Sequence, residues 1–165
     1  MSQRYSIFWA AVLVFCGLPP ALGGENPAAP LCRLKQMDTG ERYDLSRFRG
    51  KVLYVDFWAS WCASCAQSFP FMNQLKHDLN AQGLEVLGIN LDEKPEDAAA
   101  FLARHPARFM VAFDAGKNCP KDFGVLGMPS SYLVDRDGNI RFVHLGFRAG
   151  DAGHIRMQIE RLLKQ

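Results

Sequence analysis

Val52 to Phe57 reads Val-Leu-Tyr-Val-Asp-Phe, and within five residues it leads into Cys62-Ala63-Ser64-Cys65. A short, nearly continuous run of β-branched and aromatic residues suits a central strand covered on both faces. From about Cys62 to Gln82, Phe69, Met72, Leu75 and Leu79 recur near one face at helical spacing, and Gly83 stands where a helix stop is expected. Two cysteines are thereby placed where a buried strand turns into a helix N-terminus. Pro70, inside the helical stretch, predicts a kink, because it has no amide hydrogen and crowds the preceding turn.

The rest of the chain alternates in the same way. Leu84–Asn90 and Arg108–Phe113 are strand candidates. Between them, Pro95–Arg104 reads as a helix with Pro95 in its first turn and with Ala98, Phe101 and Leu102 on one face; His105-Pro106 ends it. A short helix is expected near Cys119-Pro120. Ser131–Val134 and Ile140–Leu145 then flank Asp137-Gly138, a strong hairpin signal. Asp151 is positioned to cap a last helix whose Ile155, Ile159, Leu162 and Leu163 share a face. Strands alternating with helices, followed by an antiparallel hairpin, predict an α/β sandwich with a mixed central sheet. The 165 residues, 48% hydrophobic and 22% charged, suit one globular domain and exclude wholesale disorder or a polytopic membrane protein. A formal charge of +2 with no basic run gives no nucleic-acid-binding surface.

The first stretch reads as a leader outside the fold. Arg4 and the amino terminus form a small positive region, Ile7 to Leu18 carries no charge, and Pro19-Pro20 breaks the run. Ala21-Leu22-Gly23 puts small residues where a signal peptidase reads. Twelve apolar residues fall short of the roughly 20 that span a bilayer, so residues 1–23 are expected to be a cleaved signal rather than an anchor. Cys16 follows the bulky Phe15, which does not suit a lipid acceptor. Residues 24–30 read as a short tether and 31–165 as the domain. Export implies an oxidising compartment, the bacterial periplasm, where the four remaining cysteines, Cys32, Cys62, Cys65 and Cys119, need a reason to stay unpaired.

A helix N-terminus carries roughly half a positive charge and free amide hydrogens, both of which stabilise a thiolate. Two intervening residues let both sulfurs meet in the first turn, so a disulfide can close and open. Cys62, before the first turn, is expected to be exposed and to attack; Cys65, tucked behind, resolves the mixed disulfide. The competing assignment is half of a zinc site, but Cys32 and Cys119 are single and far apart, and His77, His105, His144 and His154 show no ligand spacing. No metal or cofactor is expected. Asp56 stands mid-strand among apolar residues, where an ionised group is costly and its pKa should rise.

Val55-Asp56-Phe57-Trp58-Ala59-Ser60-Trp61-Cys62-x-x-Cys65 with Pro70 following resembles the active-site segment of thioredoxins. Gly127-Met128-Pro129-Ser130-Ser131-Tyr132-Leu133-Val134-Asp135-Arg136-Asp137-Gly138 resembles the cis-proline loop and hairpin of that family. Ala29-Pro30 leading to Leu34, Leu45-Ser46 and Gly50-Lys51-Val52 are similar to the leading segment of its exported TlpA/ResA branch. The resemblance covers essentially the whole mature chain. It implies the thioredoxin fold and thiol:disulfide exchange, with a cis Pro129 and a Met128 backbone free to pair with an extended substrate. It makes Trp61 a shield for the sulfurs and part of the substrate surface, and Trp58 mainly packing. Asp56 matches the buried acid that moves the proton of the resolving thiol. Glu93 matches an acid below the disulfide in ResA-type proteins; otherwise it is a solvated helix-start acid.

Exported relatives are mostly reductants acting on exported protein disulfides, in cytochrome c maturation or general thiol maintenance, and fed by a membrane thiol donor of the DsbD type. A monomer is expected. The proline usual between the cysteines is replaced by Ala63-Ser64, which leaves open a disulfide-forming oxidant on the same fold. A peroxidase would want a proline and a Thr or Ser where Val55 and Ala59 stand. A copper metallochaperone would space its cysteines by three and add a histidine. An inactive binding module is opposed by the intact cysteine pair and proline loop. Cys32 and Cys119 either close a second, structural disulfide or remain separate small hydrophobes. The family resemblance favours the latter, placing Cys32 at a usually apolar position. Cys119, before Pro120, could then be a partly exposed thiol.

Overall fold

The computed structural model describes residues 26–165. The leader expected over 1–23 and the first two tether residues lie outside the described residues. Seven strands, β1 (Leu34–Gln36), β2 (Arg42–Tyr43), β3 (Val52–Trp58), β4 (Leu84–Asn90), β5 (Met110–Asp114), β6 (Ser130–Val134) and β7 (Ile140–Leu145), form one sheet in the order β2-β1-β5-β4-β3-β6-β7. β3, β4 and β5 are parallel neighbours, and the remaining pairings are antiparallel. The helices are α1 (Ala63–Leu79), α2 (Pro95–Arg104), α3 (Cys119–Asp122) and α4 (Ala152–Leu163).

All seven residues of β3 are buried, because both faces are covered. Val52, Tyr54 and Trp58 point into a core with Phe69, Met72 and Leu75 of α1, Ala98 and Phe101 of α2, and Ile155 and Ile159 of α4. Leu53, Val55 and Phe57 point the other way, toward Leu45, Phe48, Phe123 and Tyr132. Trp58 packs on Phe69 and Phe101 at ring separations of 5.1 and 4.9 Å. Gly88 on β4 makes room for it, since a Cβ there would lie 3.1 Å from the indole nitrogen.

Several boundaries differ from the sequence expectation, each for a local reason. α1 ends at Leu79, and residues Asn80–Gln82 tighten into a 3-10 turn closed by Gly83 at φ 100°. Pro70 is tolerated within a continuous α1 with its ring on the exposed side. β5 begins at Met110 rather than Arg108, because the Arg108 amide donates instead to Asn73 Oδ1 (2.6 Å), whose amide nitrogen donates to the Pro106 carbonyl (2.9 Å). Asp151 is the N-cap residue of α4, but its side chain makes no capping hydrogen bond to that helix. Its carboxylate accepts from the Arg148 amide at 2.7 Å and closes the 3-10 turn Ala149–Asp151.

Cys32 and Cys119 are bonded in the structure, with their Cα atoms 5.1 Å apart. The bond ties the segment before β1 to the first residue of α3. Cys119 is enclosed rather than partly exposed, and its amide donates to Asp114 Oδ2 at 2.9 Å.

Candidate active site

Cys62 and Cys65 form a disulfide at the start of α1. Cys62 is the N-cap residue, with an extended backbone (φ −90°, ψ 101°), and its sulfur accepts from the Cys65 amide at 3.2 Å. A sulfur in that position does what a Ser or Asp oxygen does at other helix starts. It also meets the positive end of a 17-residue helix dipole. Cys62 is 6% exposed and Cys65 0%. Cys65 is the more enclosed of the two, but Cys62 is itself buried rather than exposed as expected, its sulfur bonded to the Cys65 sulfur and accepting from the Cys65 amide. Trp61, the residue before Cys62, is 71% exposed.

The Met128-Pro129 peptide is cis. The bend ends at β6, whose first residue, Ser130, donates to the Gly127 carbonyl (2.6 Å), and the Pro129 carbonyl accepts from the Gly146 amide (2.8 Å). Met128 is half-buried just outside β6. Exposed Trp61, Leu126 and Leu145 lie on the segments that carry the disulfide, the proline loop and β7. A cavity of about 460 Å³ runs from Ser64, between the cysteines, to His144, Gly146, Phe147, Arg148 and Asp151. His144 Nε2 lies 3.3 Å from Asp151 Oδ2, an ion pair when the imidazole is protonated.

Asp56 lies on the same face of β3 as Tyr54 and Trp58, beneath α1, and is completely buried. Its register neighbours are Gly88 on β4 and Ser131 on β6. Ser131 Oγ donates to Asp56 Oδ1 at 2.6 Å, and Asp56 Oδ2 has no hydrogen-bond partner among the described residues. Burial pushes the carboxyl pKa up to about 7, against the opposing pull of the Ser131 hydrogen bond. Tyr54 Oη donates to Ser131 Oγ at 2.8 Å, and burial raises the phenol well above its ordinary range.

Glu93 is exposed, on the rim of a cavity of about 960 Å³ that Lys35, Asp92 and Lys117 also line. The acid tied to the cysteine loop is its neighbour. Asp92 accepts from the Ser60 amide (2.9 Å to Oδ2), the Ser60 hydroxyl (2.8 Å to Oδ1) and the Asn90 side chain (2.7 Å). Sequence reasoning missed Asp92, Ser131 and Tyr54. For Asp92 a signal existed in Asn90-x-Asp92, a pair that closes its own turn through the Asp92 amide on Asn90 Oδ1 (3.1 Å). Among the described residues no three His, Cys, Asp or Glu side chains gather as a metal-binding group, and no helix is long and apolar enough to cross a membrane.

The redoxin family model matches residues 24–154. The chain belongs to the redoxin family. Among its redoxin relatives, the thiol-disulfide oxidoreductase ResA of Bacillus thuringiensis is 33% identical over 101 residues, 61% of this chain. That alignment spans 58% of ResA, less than two thirds of its length. The thiol:disulfide interchange protein HelX of Rhodobacter capsulatus is 35% identical over 125 residues, 74% of this chain and 68% of HelX. The crystal structure of a candidate thiol:disulfide interchange protein DsbE from Chlorobium tepidum superposes with a TM-score of 0.80 at 45% identity, over 84% of this chain and 97% of that one. These similarities put this redoxin in the thioredoxin-like TlpA/ResA group, and its mixed sheet flanked by helices is the thioredoxin fold.

Proposed function

We propose that the chain is an exported thiol:disulfide oxidoreductase that reduces disulfides in exported proteins, with Cys62 attacking and Cys65 resolving. The observation that carries this reading is the Cys62–Cys65 disulfide capping the N-terminus of α1 in a chain that also bears the cis Pro129 loop. Once reduced, the Cys62 thiolate is stabilised by the helix end and the Cys65 amide. It attacks one sulfur of a substrate disulfide. A Cys62–substrate bond forms, the substrate bond breaks, and the departing thiolate takes a proton from water. The Cys65 thiol then gives its proton to Asp56, and its thiolate attacks the Cys62 sulfur. The second substrate thiol leaves, the substrate has gained two electrons, and the pair is oxidised.

The exposed Trp61 and the half-buried Met128 with Pro129 form the platform on which an extended substrate lies. A membrane thiol donor of the DsbD type restores the dithiol, residues 1–23 direct export to the periplasm and are removed, and the chain works as a monomer. Its substrates are thiol proteins of that compartment, among them apocytochrome c.

Insulin reduction by the mature protein tests the reading. Cys65→Ala is expected to accumulate mixed disulfides on Cys62, and Cys62→Ser to lose activity; a Cys62→Ser variant as active as the parent rejects it. The reduction potential of the pair separates reductant from oxidant. A value near or below that of thioredoxin, about −270 mV, fits a reductant, and one near −120 mV fits an oxidant.

A further inference from the structure

One strand, β6, begins beside the substrate loop and ends in the core, and its second residue faces the buried acid. We propose that Ser131 and Tyr54 are positioning residues: a buried hydroxyl chain, Tyr54 to Ser131 to Asp56, occupies Oδ1 of the carboxylate and reserves Oδ2 as the atom that takes the proton during resolution. The proposal rests on the role given to Asp56 above.

The geometry is closed at one end and open at the other. Tyr54, Ser131 and Asp56 are each at most 2% exposed, so water does not compete for their hydrogen bonds. The phenol donates to Ser131 Oγ (2.8 Å), which leaves the serine hydrogen to point at Asp56 Oδ1 (2.6 Å). A hydroxyl offers a single hydrogen, so the tyrosine fixes which way the serine points. Oδ2, enclosed and without a partner among the described residues, is the oxygen left for a proton.

Few other groups could set the proton affinity of this acid. On its own strand Tyr54 is the titratable neighbour. β4 offers Gly88, which has no side chain. On β7, His144 stands opposite Ser131, but its ring is directed to Asp151. The buried face of α1 brings Cys65, Ser68, Phe69 and Met72, of which only the Cys65 thiol of the reduced protein titrates, and α4 packs with Ile155 and Ile159. A hydrogen bond to a charged acceptor in such surroundings stabilises the ionised form selectively.

The test is the titration of the Asp56 carboxyl carbon by NMR in the reduced mature protein, which does not depend on turnover. Ser131→Ala is expected to move the midpoint upward by about one pH unit, a tenfold tighter proton. Tyr54→Phe keeps the ring, which packs edge-on against Phe71 at 6.5 Å, and is expected to move the midpoint upward by less, because Ser131 still donates. The acid limb of mixed-disulfide resolution should shift with each midpoint. A role in packing alone would lower stability and leave the midpoint in place, and an unmoved or lowered midpoint in Ser131→Ala overturns the proposal. If Ser131→Ala does not fold, Tyr54→Phe decides: an unmoved midpoint there removes the chain. Shifted midpoints in a protein that fails to reduce insulin would uphold the hydroxyl chain and defeat the assigned reaction.

Discussion

A carboxyl group shut away from solvent holds its proton more tightly, and Asp56 has no exposed surface. Its pKa of about 7, against about 3.9 in an unfolded chain, makes folding stability depend on pH with a definite sign. Between those two values the folded protein binds the extra proton. The Asp56 contribution to stability is therefore greatest below about pH 4, declines as pH rises to about 7, and levels off above. The tighter hold on that proton is worth at most about 4 kcal/mol, and less wherever water reaches the site. Asp56→Asn removes this dependence. Urea unfolding of the oxidised protein at pH 4.5 and pH 8 is expected to show the variant gaining stability relative to the parent at the higher pH. Equal differences at both pH values would mean the native carboxyl titrates normally. On the proton-acceptor role proposed for Asp56, the same substitution is expected to slow resolution.

The link between β3 and α1 is set by side chains that carry no signature of catalysis. Asp92 holds both the amide and the hydroxyl of Ser60, two residues before Cys62, and Asn90 holds Asp92. The sequence pointed to Glu93 for this neighbourhood, yet adjacent residues in a turn face different ways, and spacing alone does not say which of two acids points inward. Strands β3 and β4 were legible because an unbroken apolar run has few alternatives, and the helix stop at Gly83 because few residues adopt φ 100°. The short strands β1 and β2, three and two residues long, have no periodicity to read; they exist because β5 and β1 supply their partners. Ser131 was hidden for another reason. Its partner, Asp56, lies 75 residues away and becomes a neighbour only through strand register. Asp92→Ala is expected to free the Ser60 amide, raising its hydrogen exchange well above that of β3 residues such as Val55. Unaltered Ser60 exchange would show that the backbone holds the loop without the carboxylate.

Across the whole molecule, the Cys32–Cys119 bond joins residues 87 positions apart and encloses the entire β3-α1-β4 unit in its loop. It fastens the segment before β1 to α3, where Phe123 packs edge-on against Phe57 (5.3 Å) and Tyr132 (4.8 Å) beneath the sheet. Beyond α3 the chain runs directly into the Pro129 loop, so the second bond braces the support of that loop from the face opposite α1. Closing so long a loop restricts the unfolded chain by about 4.6 kcal/mol in the chain-entropy account, and native-state strain or residual unfolded structure lowers the delivered value to about 2–4 kcal/mol. Replacing cysteines by alanine would confuse that contribution with lost packing, since both sulfurs are buried. The cleaner comparison keeps Cys32 and Cys119 in a Cys62→Ala/Cys65→Ala background and adds reductant. The guanidinium midpoint is expected to fall on reduction, and to be indifferent to reductant when Cys32 and Cys119 are also replaced. A midpoint that ignores reductant in the first protein would mean the two cysteines contribute only as buried small side chains, and peptide mapping under non-reducing conditions would then find both thiols free.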